Sequence, residues 1–152
     1  MPNKTTIKRA RKDAREGKAP STQAGEFVRE EMEHVREGKH GARSPEQAIA
    51  IGLSKARRAG VKLPAPRKGA ASKRTRKQAK RDLAKAKTRR KPSPRRSRAA
   101  TKALKREGRS AASKPALARH ARKTAPRAKA TRARNARARG HRSTRARSSA
   151  RQ

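Results

Sequence analysis

The sequence contains no cysteine, tryptophan or tyrosine, and Phe27 is its single phenylalanine. Without cysteine, disulfides and thiolate metal sites are excluded. With a single aromatic side chain there is no stacking platform of the kind that holds single-stranded nucleic acid. The basic C-terminal stretch likewise has no Trp or Phe to anchor it in a membrane interface. Acidic residues are scarce, 10 against 49 Lys and Arg. Long apolar runs are missing too. The longest, Ala48 to Leu53, is far too short to span a bilayer, and the N-terminal residues show no apolar signal-peptide segment.

What is present is positive charge. The formal net charge is +39 over 152 residues, and only 30% of the residues are hydrophobic, mostly alanine. Such a composition cannot bury enough apolar surface to offset the entropy of ordering the whole chain. The charge is uneven. Through Leu63 there are 15 basic and 8 acidic residues; beyond it there are 34 and 2. A stretch of that basic density calls for a polyanionic partner.

The clearest helix signal lies between Ser44 and Gly60. Ser44 can cap the first turn, Pro45 suits the first helical position, and Gln47 can complete a capping box. Gly60 suits the left-handed stop position, after which Val61 can fold back on Ala56. Ala48, Ile49, Gly52, Leu53, Ala56 and Ala59 share one narrow face. Gly52 near its centre suggests close approach of another backbone, because an interior glycine otherwise costs about 1 kcal/mol. Gln47, Ala50, Ser54, Arg57 and Arg58 are expected to point outward.

A second helix is expected over 22–37. Its stripe is Ala24, Phe27, Val28, Met32 and Val35, and Gly38 ends it. Phe27 is its packing anchor. Glu31 falls inside the apolar arc and must reach an edge or find a cation. The short loop Gly38–Arg43 makes the two helices a hairpin. Asn3 to Glu16 reads as a short basic helix capped by Asn3 and ended by Gly17, with a linker through Pro20. The expected organisation is therefore a basic N-terminal helix and linker (1–21), a helical hairpin module (22–63) and an intrinsically disordered Lys/Arg/Ala/Pro-rich tail (64–152). Within the tail, 71–90, 99–107 and 115–124 contain helix formers whose like charges repel, and are expected to become helical when phosphates neutralise them. A core as small as that of 22–63 usually needs support, which makes a homodimer through the module, or a fold assisted by nucleic acid, the natural expectation.

Dense Lys/Arg runs neutralise phosphates and release counterions, giving salt-sensitive, sequence-independent binding. The expected contacts begin with Lys55, Arg57, Arg58 and Lys62 at the end of the central helix. They continue through Arg67, Lys68, Lys73, Arg74, Arg76 and Lys77. A third group, Arg89, Arg90, Lys91, Arg95, Arg96 and Arg98, surrounds Ser93-Pro94. The last is Arg132, Arg134, Arg137 and Arg139. Ser93-Pro94-Arg95-Arg96 could form a turn that presents two cations to a narrow minor groove. Five of the acids, Glu26, Glu30, Glu31, Glu33 and Glu37, lie on the second helix, whose exposed side should repel DNA or dock a basic partner.

Catalytic patterns are absent. Gly17-Lys18 and Gly38-Lys39 lack the rest of a P-loop. His34 and His40 flank a helix end without an evident further ligand and read as solvated. No cofactor and no metal is expected.

Glu-Phe-Val-Arg-Glu-Glu-Met, Gly-Lys-His-Gly and Gln-Ala-Ile-Ala-Ile-Gly-Leu-Ser-Lys-Ala, within 24–60, resemble a family of short basic bacterial proteins with a domain of unknown function. That resemblance implies no activity. The tail resembles the Lys/Ala/Pro-rich tails of histone H1-like proteins, with more Arg, but no winged-helix domain is visible. The expected function is non-enzymatic, largely sequence-independent binding of duplex DNA, bridging or compacting it in the nucleoid of a bacterial cytoplasm. The alternatives are RNA or ribosome association, and a protein adaptor acting through the Glu-rich helix.

Overall fold

A computed structural model describes residues 2–88 and 93–125. Among these the elements are all helical: α1 (Lys4–Arg15), α2 (Pro20–Arg36), α3 (Pro45–Arg58), α4 (Lys73–Thr88), α5 (Pro94–Lys105) and a 3₁₀ turn, Ser110–Ala112. Residues 114–125 are also helical. One isolated bridge joins Lys68 and Ala71. The chain divides into two compact units, Met1–Ala116 and Leu117–Gln152. The described part of the second, 117–125, is helix.

Helix boundaries in the first unit follow their caps. Asn3 accepts from the Thr5 amide and Ser44 from the Gln47 amide, both at 3.3 Å. Gln47 does not reach back to Ser44; its Oε1 accepts from the Arg43 amide at 2.7 Å. Gly60 takes φ +101°, and the Val61 amide then donates to the Ala56 carbonyl at 3.1 Å. α2 starts at Pro20, two residues before the expected start. Proline costs nothing at a first helical position, so Pro20 opens the helix instead of breaking a linker.

The core joins three helices. Ala10 of α1, Ala24 and Phe27 of α2, Ala56 of α3 and Val61 after it are buried together, with Ile7, Leu53 and Leu63 packed around them. Phe27 is 1% exposed, and its burial contributes about 1.5–3 kcal/mol. α1 is thus a member of this core, although composition placed it with a linker. α2 and α3 meet at Gly52, where a Cβ would lie 2.7 Å from the Val28 Cα. The close backbone approach expected there is present.

Arg57 corrects the expected facing of α3. It is buried, and its guanidinium donates to the Leu63 and Pro64 carbonyls at 3.2 and 3.3 Å. Ala59, expected on the packing face, is exposed. The chain turns sharply at Gly60, so the last carbonyls lie across the end of α3 where Arg57 can reach them.

The compact unit runs well past Leu63. α4 packs on α3 through Ala79 and Asp82, both buried. Ser54 Oγ donates to Asp82 Oδ2 at 2.7 Å, Gln78 Nε2 to Oδ1 at 3.1 Å, and Arg58 Nε lies 3.4 Å from Oδ1. Further on, residues 104–112 lie across the α2–α3 loop. The Gly41 and Ala42 amides donate to the Leu104 and Gly108 carbonyls at 2.9 and 3.0 Å. Arg36 Nε donates to the Ala112 carbonyl at 2.9 Å, and Arg43 pairs with Glu107 at 3.3 Å. Ala111 and Ala112 are buried against this region. The expected tail boundary at residue 64 therefore does not coincide with the boundary of the compact unit. Described residues expected to be disordered in solution, among them 73–88 and 94–105, are helical. For 73–88 the reason is local: Ala79 and Asp82 dock the helix on α3, which supplies the Ser54 hydroxyl and the Arg58 guanidinium.

Candidate nucleic-acid interface

The acids set the electrostatics of this surface, because they determine which cations are neutralised. Asp13, Glu16, Glu26, Glu30, Glu31, Glu33, Glu37, Asp82 and Glu107 each lie in a pair with Lys, Arg or His of the same chain. The Glu-rich helix does not present an acidic face. Glu30 and Glu31 are buried. Glu30 Oε1 accepts from the Asn3 amide at 3.0 Å, and Glu31 is clasped by Lys55 and by His40. Glu26 is held by Arg29 at 2.8 Å and by Arg9 at 3.9 Å. Lys39 holds the exposed Glu37 carboxyl below the usual carboxylate range, and Lys18 does the same for Glu16.

The expected contact residues sort into three groups. Lys55, Arg57 and Arg58 are spent internally, on Glu31, on the Leu63 and Pro64 carbonyls, and on Asp82 with Ser54. Burial pulls the Arg57 guanidinium below its ordinary value, opposed by the charge of Asp82. Lys62, Arg67, Lys68, Lys73, Arg74, Lys77, Arg95, Arg96 and Arg98 are exposed, while Arg76 is half-buried. Arg89, Arg90, Lys91, Arg132, Arg134, Arg137 and Arg139 lie outside the described residues.

α4 brings the exposed group to order. Ala79 and Asp82 face α3 and are buried, so Lys73, Lys77 and Lys80, spaced by four and three, share the opposite side of the helix. Arg74, Arg81 and Lys85 flank that side and are exposed as well. α5 has no buried residue and carries Arg95, Arg96, Arg98, Lys102 and Lys105 into solvent. Its start corrects one expectation. Ser93 is the N-cap and Pro94 the first helical residue, so Ser93–Arg96 is not a free turn with paired cations; proline is again well suited to that place. Lys80, Arg81, Lys85, Lys102 and Lys105 were not singled out from the sequence, and neither were Lys4, Lys8, Arg11 and Lys12 on α1, all exposed. The signal that could have found the α4 set is the lone aspartate. Placing Asp82 inward identifies the outward face.

This surface can hold phosphates by charge and hydrogen bonding. It has no aromatic side chain to stack on a base, Phe27 being buried. No helix among the described residues is long and apolar enough to cross a membrane.

The histidines are not solvated as expected. His34 and His40 are both partly buried, with ring centroids 5.9 Å apart in an edge-to-face arrangement. Burial, aided by the charge of Lys55, holds the His34 imidazole below its ordinary value.

No curated protein and no solved structure matches the chain. Residues 4–68, from the first residue of α1 to the chain just beyond α3, match the model of a family described as of unknown function, DUF6496, and form a domain of that kind.

Proposed function

We propose that the protein is a non-enzymatic, largely sequence-independent DNA-binding protein of histone-like type, which bridges or compacts duplex DNA in the bacterial nucleoid. One observation carries the reading: the acids are consumed by pairing within the fold, while the outer face of α4 and all of α5 present exposed Lys and Arg. A surface of cations without carboxylates attracts phosphates at long range and releases their counterions on contact. It carries no device for reading bases, which makes the binding indifferent to sequence.

The domain of 4–68 then serves as the platform on which α4 and the 104–112 segment are mounted. An adaptor role through the Glu-rich helix draws less support, because Glu30 and Glu31 are buried and Glu26 is paired, leaving Glu33 and Glu37 as its exposed acids.

Nuclease treatment of cell extract before sedimentation tests the proposal. DNase should release the protein into the soluble fraction and RNase should not. Release by RNase alone would assign it to RNA instead, because a phosphate-reading surface does not by itself distinguish the two backbones.

A further inference from the structure

Glu31 and His34 are three residues apart on α2, and His40 stands on the loop that follows it. One donor atom from each lies within 4.8 Å of the other two. Glu31 is fully buried, and its Oε1 has no hydrogen-bond partner. That oxygen lies 3.0 Å from His40 Nε2. The other ring nitrogen of His40, Nδ1, is 3.1 Å from the Gly41 carbonyl. An Nδ1–H donating there leaves Nε2 with a lone pair directed at the carboxylate. Two lone pairs at that distance require a cation between them.

We propose that Glu31, His34 and His40 form a binding site for a divalent transition-metal cation of borderline softness, of which Zn²⁺ is the representative. Two imidazoles and one carboxylate are a donor set suited to such ions. The surroundings are those of a ligand shell. A metal-bound histidine commonly donates its free N–H to a backbone carbonyl, as His40 can to Gly41. A ligating carboxylate is commonly held by its second oxygen, and Lys55 holds Glu31 by Oε2.

The alternative is a proton in place of the metal, making His40 an imidazolium paired with Glu31. Two features favour the metal. Lys55 holds Glu31 through Oε2 and leaves the buried Oε1 available as a ligand. His34, which also lies 3.7 Å from Glu30 Oε1, brings a donor atom to the same cluster, where a proton between His40 and Glu31 would not engage it. The neighbouring Glu30 is also buried, with an Oε2 that has no hydrogen bond, so two adjacent buried carboxylates supply negative charge that a divalent ion would help to balance. Tetrahedral coordination brings donors to about 3.3 Å of one another, given bonds of about 2.0–2.1 Å. The widest separation, no more than 4.8 Å, must therefore contract by at most about 1.5 Å, which rotation of His34 and adjustment of the His40 loop can supply. Three protein ligands leave a coordination position for water or an exogenous group.

The site adjoins the Gly41 and Ala42 amides that hold the Leu104 and Gly108 carbonyls. A bound ion would fix this loop and, with it, the docking of 104–112.

The test uses the full chain, freed of nucleic acid and stripped with a chelator. Titration with Co²⁺ should give saturable ligand-field bands at one ion per chain, displaced by Zn²⁺, and Zn²⁺ should raise the melting temperature by several degrees. Loss of a partner in the outer shell alone costs about 10–100-fold in metal affinity, so His34→Gln and His40→Gln should each weaken binding by at least about 100-fold. His120→Gln should leave it unchanged. Binding that is equally tight in the His34→Gln/His40→Gln double variant would overturn the proposal. Should those variants lose helicity, the wild-type chain decides: no thermal shift and no ligand-field spectrum would reduce the cluster to an ion-pair network.

Discussion

Ser54 on α3 donates its hydroxyl to the buried carboxylate of Asp82 on α4 at 2.7 Å. Asp82 is one of only two acids beyond Leu63, and the other, Glu107, pairs with Arg43 on the α2–α3 loop. Both acids of the basic stretch thus tie it back to the domain that precedes it. A segment of this charge would otherwise be driven off α3 by Arg57, Arg58 and Lys55. Asp82 converts one of these, Arg58, into a partner.

Asp82→Ala should therefore release α4. It would remove the acceptor of Ser54 and Gln78 and leave Arg58 without its carboxylate. Hydrogen bonds to a charged group are worth about 1.5–3 kcal/mol each in favourable cases, and we expect a loss of about 2–3 kcal/mol. Urea unfolding gives the magnitude. Amide exchange should show α4 losing protection while α2 and α3 keep theirs. Equal protection in wild type and variant would mean that α4 is held by something other than Asp82.

Gly52→Ala sets two effects against each other. Replacing glycine inside a helix gains about 1 kcal/mol in propensity. The new Cβ would lie 2.7 Å from the Val28 Cα and 3.0 Å from the Phe27 carbonyl oxygen, and overpacking against backbone costs about 1–3 kcal/mol. The backbone of α2 cannot swing aside as a side chain would, so we expect net destabilisation. A rise in the urea midpoint would show that the helices cross elsewhere.

Much of this domain was legible because its signals are local. Ser44, Pro45 and Gly60 act within a turn of the helix they delimit, and Phe27 had no aromatic rival for the core. Arg57 was misread because its inward turn depends on where the chain goes after Gly60, a nonlocal fact. The grouping of Glu31, His34 and His40 is hidden for a related reason: Glu31 falls inside the apolar arc of α2, and His40 reaches it only through the course of the loop after the helix. In the basic stretch, composition concealed the docking. Charge density argues for disorder on average, yet Ala79, Asp82, Ala111 and Ala112 are individual positions that an average does not register. Pro20 suggests a linker and Pro94 a turn when only their neighbours in sequence are weighed, although each opens a helix.

Gly41→Ala should detach the 104–112 segment without dissolving the core. A Cβ on Gly41 would collide with the Glu107 carbonyl, and the Gly41 amide could no longer hold Leu104. Phe27 and Val61 lie in the three-helix cluster and are not part of this contact. Cleavage by trypsin after Lys105, Arg106 or Arg109 should quicken severalfold, with helicity and melting largely retained. Unchanged cleavage would show that the segment does not depend on this loop.

The outer face of α4 supplies the sharpest test of the proposed DNA contact. If Lys73, Lys77 and Lys80 each engage a phosphate, replacing all three with glutamine removes three counterion-releasing contacts. For B-DNA the slope of log affinity against log salt is about −0.9 per phosphate, so the triple variant should be shallower by about 2.7. All three residues are exposed and lie opposite Asp82, so the fold should not change. Arg57→Gln is the counterpart: it removes a cation already bonded to the Leu63 and Pro64 carbonyls, and should lower stability while leaving the slope alone. Fluorescence anisotropy with random-sequence duplex over a salt series measures both, and a circular-dichroism melt separates binding from unfolding. A slope that falls with Arg57→Gln but not with the triple variant would place the contact at the end of α3, and α4 would have to be removed from the interface.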